Sequence, residues 1–227
     1  MQVRRTASED VYDKVKSDIL SLSRVPGAEI KINEIAEEMG ISRSPVRDAL
    51  MKLSDEGLVD MLPQRGCWVS LINLERVDEE RFLRHSLEKS VLSYFMEYAK
   101  ASDISKLQYF VSLQKEALKD GDGGLFFTYD DQMHESIFHS AGKGRIWQII
   151  ARETGHYRRM RILSFDQPGV LDKNIEQHIE LIEALKEKDI AAALRIEGEH
   201  VFKLTFEAGE IIHDNPSYFK KGSDEIK

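Results

Sequence analysis

Asp130 and His134 are four residues apart in a stretch of helical periodicity, so both side chains project from one helical face. His178 and His200 stand in two further helix-patterned stretches. The first is flanked by Ile179, Ile182 and Leu185, the second by Ile196, Val201 and Leu204. One carboxylate and three imidazoles from three helices, turned into a bundle, supply the donor set of a borderline divalent metal. They also leave one or more coordination positions open. Spacing alone equally allows a plainer assignment, hydrogen-bonded core histidines, because D-x-x-x-H recurs without metal. Arg84 and Glu88 pose a similar choice. They are either an i,i+4 ion pair worth about 0.3–0.5 kcal/mol, or Arg84 turns inward and grips a ligand carboxylate with its planar guanidinium. Arg152, His156 and Arg159 share a face of a later helix-patterned stretch, Arg145–Leu163, as further cavity candidates, with solvated charge as the alternative.

A second constellation, Gly40–Leu50 (GISRSPVRDAL), points to nucleic acid. A helical apolar pattern, Ile32, Ile35, Ala36 and Met39, stops at Gly40, a residue suited to a left-handed turn. Ser42 can cap a following helix, and Pro45 is tolerated in its first turn. Val46, Ala49, Leu50 and Leu53 then face inward. This leaves Ser42, Arg43, Ser44, Pro45 and Arg47 at an exposed, partly cationic helix start, with Asn33 on the preceding helix. Two short helices about a tight turn form a helix-turn-helix, whose second helix reads the major groove. Downstream, Leu58–Leu62 and Cys67–Ser70 read as strands around a Pro63–Gly66 turn. That hairpin places Arg65 and Gly66 at the tip of a wing.

The elements needed to position these residues follow from the rest of the pattern. A helix over about Ser8–Ser23 and a short strand at Glu29–Lys31 complete the first unit, residues 1–72. After Leu74 strand patterning vanishes. Helices are predicted over Arg76–Ala99, Ile104–Leu118, Leu125–Ser140, Arg145–Leu163, Val170–Glu187 and Ile190–Ile212, an all-α unit over 73–214. The first of these has Val77, Phe82, Leu83, Leu87, Val91 and Phe95 on its apolar face. Residues 215–227, poor in apolar groups, read as a loose tail. The fold class is therefore mainly α, a winged helix-turn-helix of three helices and a small β-hairpin joined to a bundle of about six helices. No segment approaches the roughly 18 apolar residues of a membrane span. The single cysteine, Cys67, excludes an internal disulfide and fits a reducing cytoplasm. The net charge of −8 lies mainly after residue 70, so only a local cationic surface is available for phosphates.

The run Pro26-Gly27, Ile35-Ala36, Gly40–Leu50, Leu53, Glu56–Val59 and Gly66 resembles the N-terminal domain of GntR-family bacterial transcription regulators. Asp130-x-x-x-His134, Glu176-x-His178, Ile182-x-Ala184, Asp189, Ala192 and His200 resemble the FCD effector domain of the FadR-type subfamily. Arg84–Glu88 matches that family's R-x-x-L-E pattern. Many members of that domain bind zinc, nickel or a similar ion through one Asp and three His, so the resemblance implies Asp130, His134, His178 and His200 as metal ligands. Zinc is the first choice, with nickel or another transition metal as alternatives. Met133 and Lys143 depart from the family pattern, at positions that are not ligands.

The resemblance implies a cytoplasmic, homodimeric regulator, more often a repressor, on a double-stranded operator of two-fold symmetry. A small carboxylate effector, a sugar acid or an organic acid, would meet the metal, Arg84, Arg152 and His156. Residues 71–75 would form the hinge. Two rival readings are a direct metal sensor and a metal-dependent enzyme in which the ion activates water.

Overall fold

The structure, a computed structural model, describes residues 5–167, 169–202 and 204–221; the side chains of 202 and 204–207 also lie outside the description. Helix α1 (Ala7–Leu20) is capped by Thr6 rather than Ser8. Thr6 Oγ1 accepts from the Glu9 amide at 3.3 Å, and the Glu9 carboxylate accepts from the Thr6 amide at 2.8 Å. Val11, Val15 and Ile19 of α1 are buried against α3 (Arg43–Asp55), which is joined to α2 (Ile32–Glu38) by a turn with Gly40 at φ 63°. Strands β1 (Val59–Leu62) and β2 (Gly66–Val69) pair antiparallel with Val59 opposite Val69, and Glu29 forms a single bridge to Trp68. This is the expected winged helix-turn-helix, with its own core around Val46, Leu50, Leu53 and Leu58.

The bundle begins with α4 (Leu74–Tyr98), capped by Asn73, followed by α5 (Ala101–Lys119) and α6 (Gly123–Ser140). Phe82, expected on the apolar face of α4, is 67% exposed. The inward positions at that level are instead Glu80, Arg81, Arg84 and Glu88, because this half of α4 faces polar partners. Where one helix was expected over 145–163 there are two, α7 (Gly144–Glu153) and α8 (Gly155–Leu163). The break falls at Thr154, whose hydroxyl donates to the Ile150 carbonyl at 2.7 Å. The next residue, Gly155, packs closely: a Cβ there would lie 2.6 Å from Leu58 Cδ2 of the winged unit. α9 spans Val170–Glu187 as expected, and the last helical region is described in two stretches, α10 (Ile190–Phe202) and α11 (Leu204–Asp214).

A large core around Phe126, Phe138, Trp147 and Leu181 fills the bundle. A third, smaller core lies where the linker enters the bundle and gathers Ile72, Val77, Tyr157, Met160, Ile211 and Phe219. Phe219 belongs to the segment read as a loose tail, and that reading is corrected for residues 215–221. Pro216–Tyr218 is a 3-10 turn and Phe219 is buried. Ile72 donates to the Tyr218 carbonyl at 2.8 Å, and Lys220 donates back to Ile72 at 2.9 Å. The rest of the tail, 222–227, lies outside the described residues. Among the described residues no helix is long and apolar enough to cross a membrane.

Candidate metal centre and nucleic-acid interface

Three helices deliver the four metal candidates. α6, capped by Asp122 through its carboxylate and the Leu125 amide at 2.8 Å, carries Asp130 and His134 inward one turn apart. His178 comes from α9 and His200 from α10. One donor atom from each lies within 4.8 Å of all the others. His178 Nε2 is 3.4 Å from His200 Nε2 and 3.5 Å from Asp130 Oδ1, while His134 Nε2 is 4.0 Å from Asp130 Oδ2. Donors about 2.0–2.1 Å from a tetrahedral zinc are roughly 3.4 Å apart, so these separations are close to what such an ion needs.

Outer partners fix how the rings face. His178 Nδ1 lies 2.8 Å from Gln114 Oε1, and His200 Nδ1 lies 3.2 Å from Gln177 Oε1. His134 Nδ1 stands 3.1 Å from the Glu88 carboxylate. Each of these oxygens accepts, which places the proton on Nδ1 and leaves the Nε2 lone pair for the cluster interior. Asp130 Oδ1 and His134 Nε2 are buried without a hydrogen-bond partner, the kind of orphan that calls for an ion or another explanation. Burial, then the neighbouring charges of Arg161 and Arg84, moves His178 down to about 3 against the pull of Asp130. Burial and His178 likewise push His200 well below its ordinary value. Burial alone would raise Asp130, yet the guanidinium charges of Arg161 and then Arg84 oppose it and hold the carboxyl ionised. His178 and His200 are thereby neutral and Asp130 ionised, the states a divalent metal requires of such ligands. The donor set fits the ion.

Arg84 makes the i,i+4 ion pair with Glu88, and does so inside the bundle rather than on its surface. It is turned inward, buried, and donates from Nε to Glu88 at 2.6 Å. Its Nη2 lies 3.7 Å from Asp130 and has no hydrogen-bond partner. Beside it is a cavity of about 320 Å³ lined by Arg84, Asp131, Gln132, Trp147, Arg158 and Arg161, among others. Asp131, Arg158 and Arg161 escaped the sequence reading. Arg158 and Arg161 both pair with Asp131, and Arg161 pairs with Asp130 as well. The signal available was the Asp130-Asp131 doublet together with two arginines three apart.

Arg152 and His156 stand elsewhere, which corrects their place in this cavity. Arg152 is exposed and pairs with the adjacent Glu153 at 2.7 Å. His156 is buried but faces the winged unit, its Nε2 3.1 Å from the Gly57 carbonyl and its Nδ1 accepting from the Asn73 amide at 3.1 Å. The break at Thr154 changes the helix direction, so the single face assumed for 152–159 does not exist.

On the winged unit, Asn33, Arg43, Arg47 and Gly66 line one shallow groove together with Lys31 and Glu34. Ser42 occupies the N-cap position of α3 but makes no side-chain cap bond, so its hydroxyl, like that of exposed Ser44, remains available to a partner. Pro45 is half-buried beside them, and Arg65 is exposed in the hairpin turn. Gly66 has φ 131°, and a Cβ there would meet the Trp68 ring at 3.1 Å. The wing's own geometry therefore already accounts for this glycine.

Residues 7–69 match the profile described as "Bacterial regulatory proteins, gntR family", and residues 81–202 match the FCD domain. An uncharacterized HTH-type transcriptional regulator in an unstable DNA locus of Streptomyces ambofaciens is 33% identical over 192 residues, 83% of this chain and 79% of that one. The HTH-type transcriptional repressor RspR of Escherichia coli K12 is 26% identical over 214 residues, 94% of each chain. Among solved structures, E. coli McbR/YncC superposes with a TM-score of 0.79 at 20% identity, covering 93% of this chain and 99% of the other.

Proposed function

Because the chain belongs to the GntR family of bacterial regulatory proteins, with an FCD domain behind its DNA-binding unit, we propose that it is a cytoplasmic repressor whose bundle holds a divalent metal and senses a small carboxylate. That it is a DNA-binding transcription regulator follows from the family itself. The repressor assignment draws on a relative of that name. One observation carries the sensing half: buried Asp130, His134 and His178, with part-buried His200, converge beside a cavity where Arg84 Nη2 lacks a hydrogen-bond partner.

In this reading zinc, or nickel or another transition metal, bound by the four residues supplies a Lewis-acidic site for one end of a carboxylate. Arg84 offers that carboxylate its unused N–H donors, and Trp147 walls the cavity. Arg158 and Arg161 hold Asp131 in place beside it. On the DNA side Arg43, Arg47 and Arg65 contact bases or phosphates, while Asn33, Ser42, Ser44, Pro45 and Gly66 shape the surface that docks. One such unit reads few base pairs, so the working species is a homodimer on a two-fold operator.

Titrating zinc and a panel of sugar and organic acids against one selected operator fragment tests this. The expected outcome is stoichiometric metal retained throughout, with DNA affinity changing only when a carboxylate is added. Affinity that follows zinc concentration with no organic acid present would instead make the chain a direct metal sensor.

A further inference from the structure

α8 is nine residues long and holds both functional ends of the molecule. Towards the bundle, Arg161 Nη1 donates to Asp131 at 2.9 Å, Arg158 pairs with the same carboxylate, and Arg161 pairs with Asp130. Towards the winged unit, buried Arg159 donates from Nη1 to the Ser70 carbonyl at 2.6 Å and from Nη2 to Ser70 Oγ at 3.1 Å. That hydroxyl donates in turn to the Gly57 carbonyl at 2.6 Å, the same oxygen that lies 3.1 Å from His156 Nε2. His156 Nδ1 accepts from Asn73, which caps α4. The pair 158/161 is offset from the pair 156/159 by two residues, about 200° around a helix axis, so the two grips are on opposite sides of α8.

Both grips are stiff. Arg159 is fully buried, and although Nε also reaches the Gly155 carbonyl and Nη2 reaches His156, moving Ser70 away would leave its buried Nη1 donor unsatisfied. Gly155 brings the start of α8 into van der Waals contact with Leu58, with no room for a side chain between. Ile72, in the linker these bonds surround, is held from its other side by Phe219.

We propose that α8 is the mechanical link between the two ends of the regulator, with His156 and Arg159 as positioning residues that set the winged unit according to how Arg158 and Arg161 hold Asp130 and Asp131. Any change in the partners of that carboxylate pair shifts α8 and, through it, Gly57, Ser70 and Asn73. The pair is the sensing end only on the function proposed above, but the link is testable without metal or ligand.

Amide hydrogen exchange on the full chain as isolated provides the test, comparing wild type with Asp131→Asn and with the milder Arg158→Gln, which keeps a half-exposed position polar. If α8 transmits, peptides spanning 57–73 exchange about tenfold faster in both variants, along with those of α6, while Leu50–Leu53 in α3 keep the wild-type rate. Conversely, Ser70→Ala accelerates exchange in 127–134. Faster exchange in α6 with 57–73 unchanged would show that α8 carries nothing across, as would wild-type exchange everywhere. Should Asp131→Asn fail to fold, Arg158→Gln alone decides between these results.

Discussion

At the scale of single residues, the two arginine environments of the DNA-binding unit and the bundle have opposite physics. Arg47 is exposed on α3, with no ion pair or hydrogen bond to fix it among the described residues. Arg47→Ala is expected to weaken binding to a selected operator by about 1–3 kcal/mol, measured by fluorescence anisotropy, if it reads a base. Within the metal cluster each ligand counts. His178→Ala should leave no stoichiometric zinc after dialysis when metal content is measured by mass spectrometry, and full occupancy would remove it from the site. His156 offers a pH test. Burial, then Arg159, depresses its pKa to about 2 in the folded chain, whereas the unfolded chain takes up a proton near the ordinary histidine value of about 6.5. Between those values the unfolded state binds more protons, so stability falls as pH drops below about 6.5. Denaturant melts of His156→Gln between pH 6 and 5 should lose up to about 1.4 kcal/mol less per pH unit than wild type. The site residues most legible from sequence were those with a helical spacing, Asp130 and His134 above all. Asp131, Arg158, Arg161, Gln114 and Gln177 were not, because ordinary charged and amide side chains acquire a role only when tertiary packing buries them together.

At the scale of elements, periodicity located nearly every helix and both strands, since burial of one face leaves its mark in the order of residues. It failed at Thr154, whose φ of −109° and ψ of 38° interrupt a stretch of continuous helical spacing, so α7 and α8 read as one. Nor does anything within residues 145–163 announce that Gly155 must pass Leu58, about a hundred positions upstream. The apolar stripe of α4 was misjudged at Phe82 for a related reason, since the inward face there is charged. Gly155→Ala turns this contact into a measurement. Alanine favours helix by up to about 1 kcal/mol, but its Cβ would overlap Leu58, and overpacking costs about 1–3 kcal/mol. The melting temperature should therefore fall, and a rise would show that Leu58 yields without cost.

Over the whole molecule, the described residues form three separate cores, and the smallest gathers the linker, α4, α8, α11 and the segment after it. Its most distant contributor is Phe219, which composition alone assigned to a tail. Phe219→Ala should cost about 3–5 kcal/mol in a denaturant melt, with the loss accompanied by faster proteolysis near Ile72. Wild-type stability would return the segment to the periphery. The pairing of Phe219 with Ile72 also has a consequence in time. A ribosome adds about 5–20 residues per second and N-terminal units fold first, so the winged unit is complete on the order of ten seconds before its linker can be tied by Phe219, made about 150 residues later. During that interval a nascent chain presents a folded reading head with no fixed mounting, and whatever control the bundle exerts begins only with the finished polypeptide.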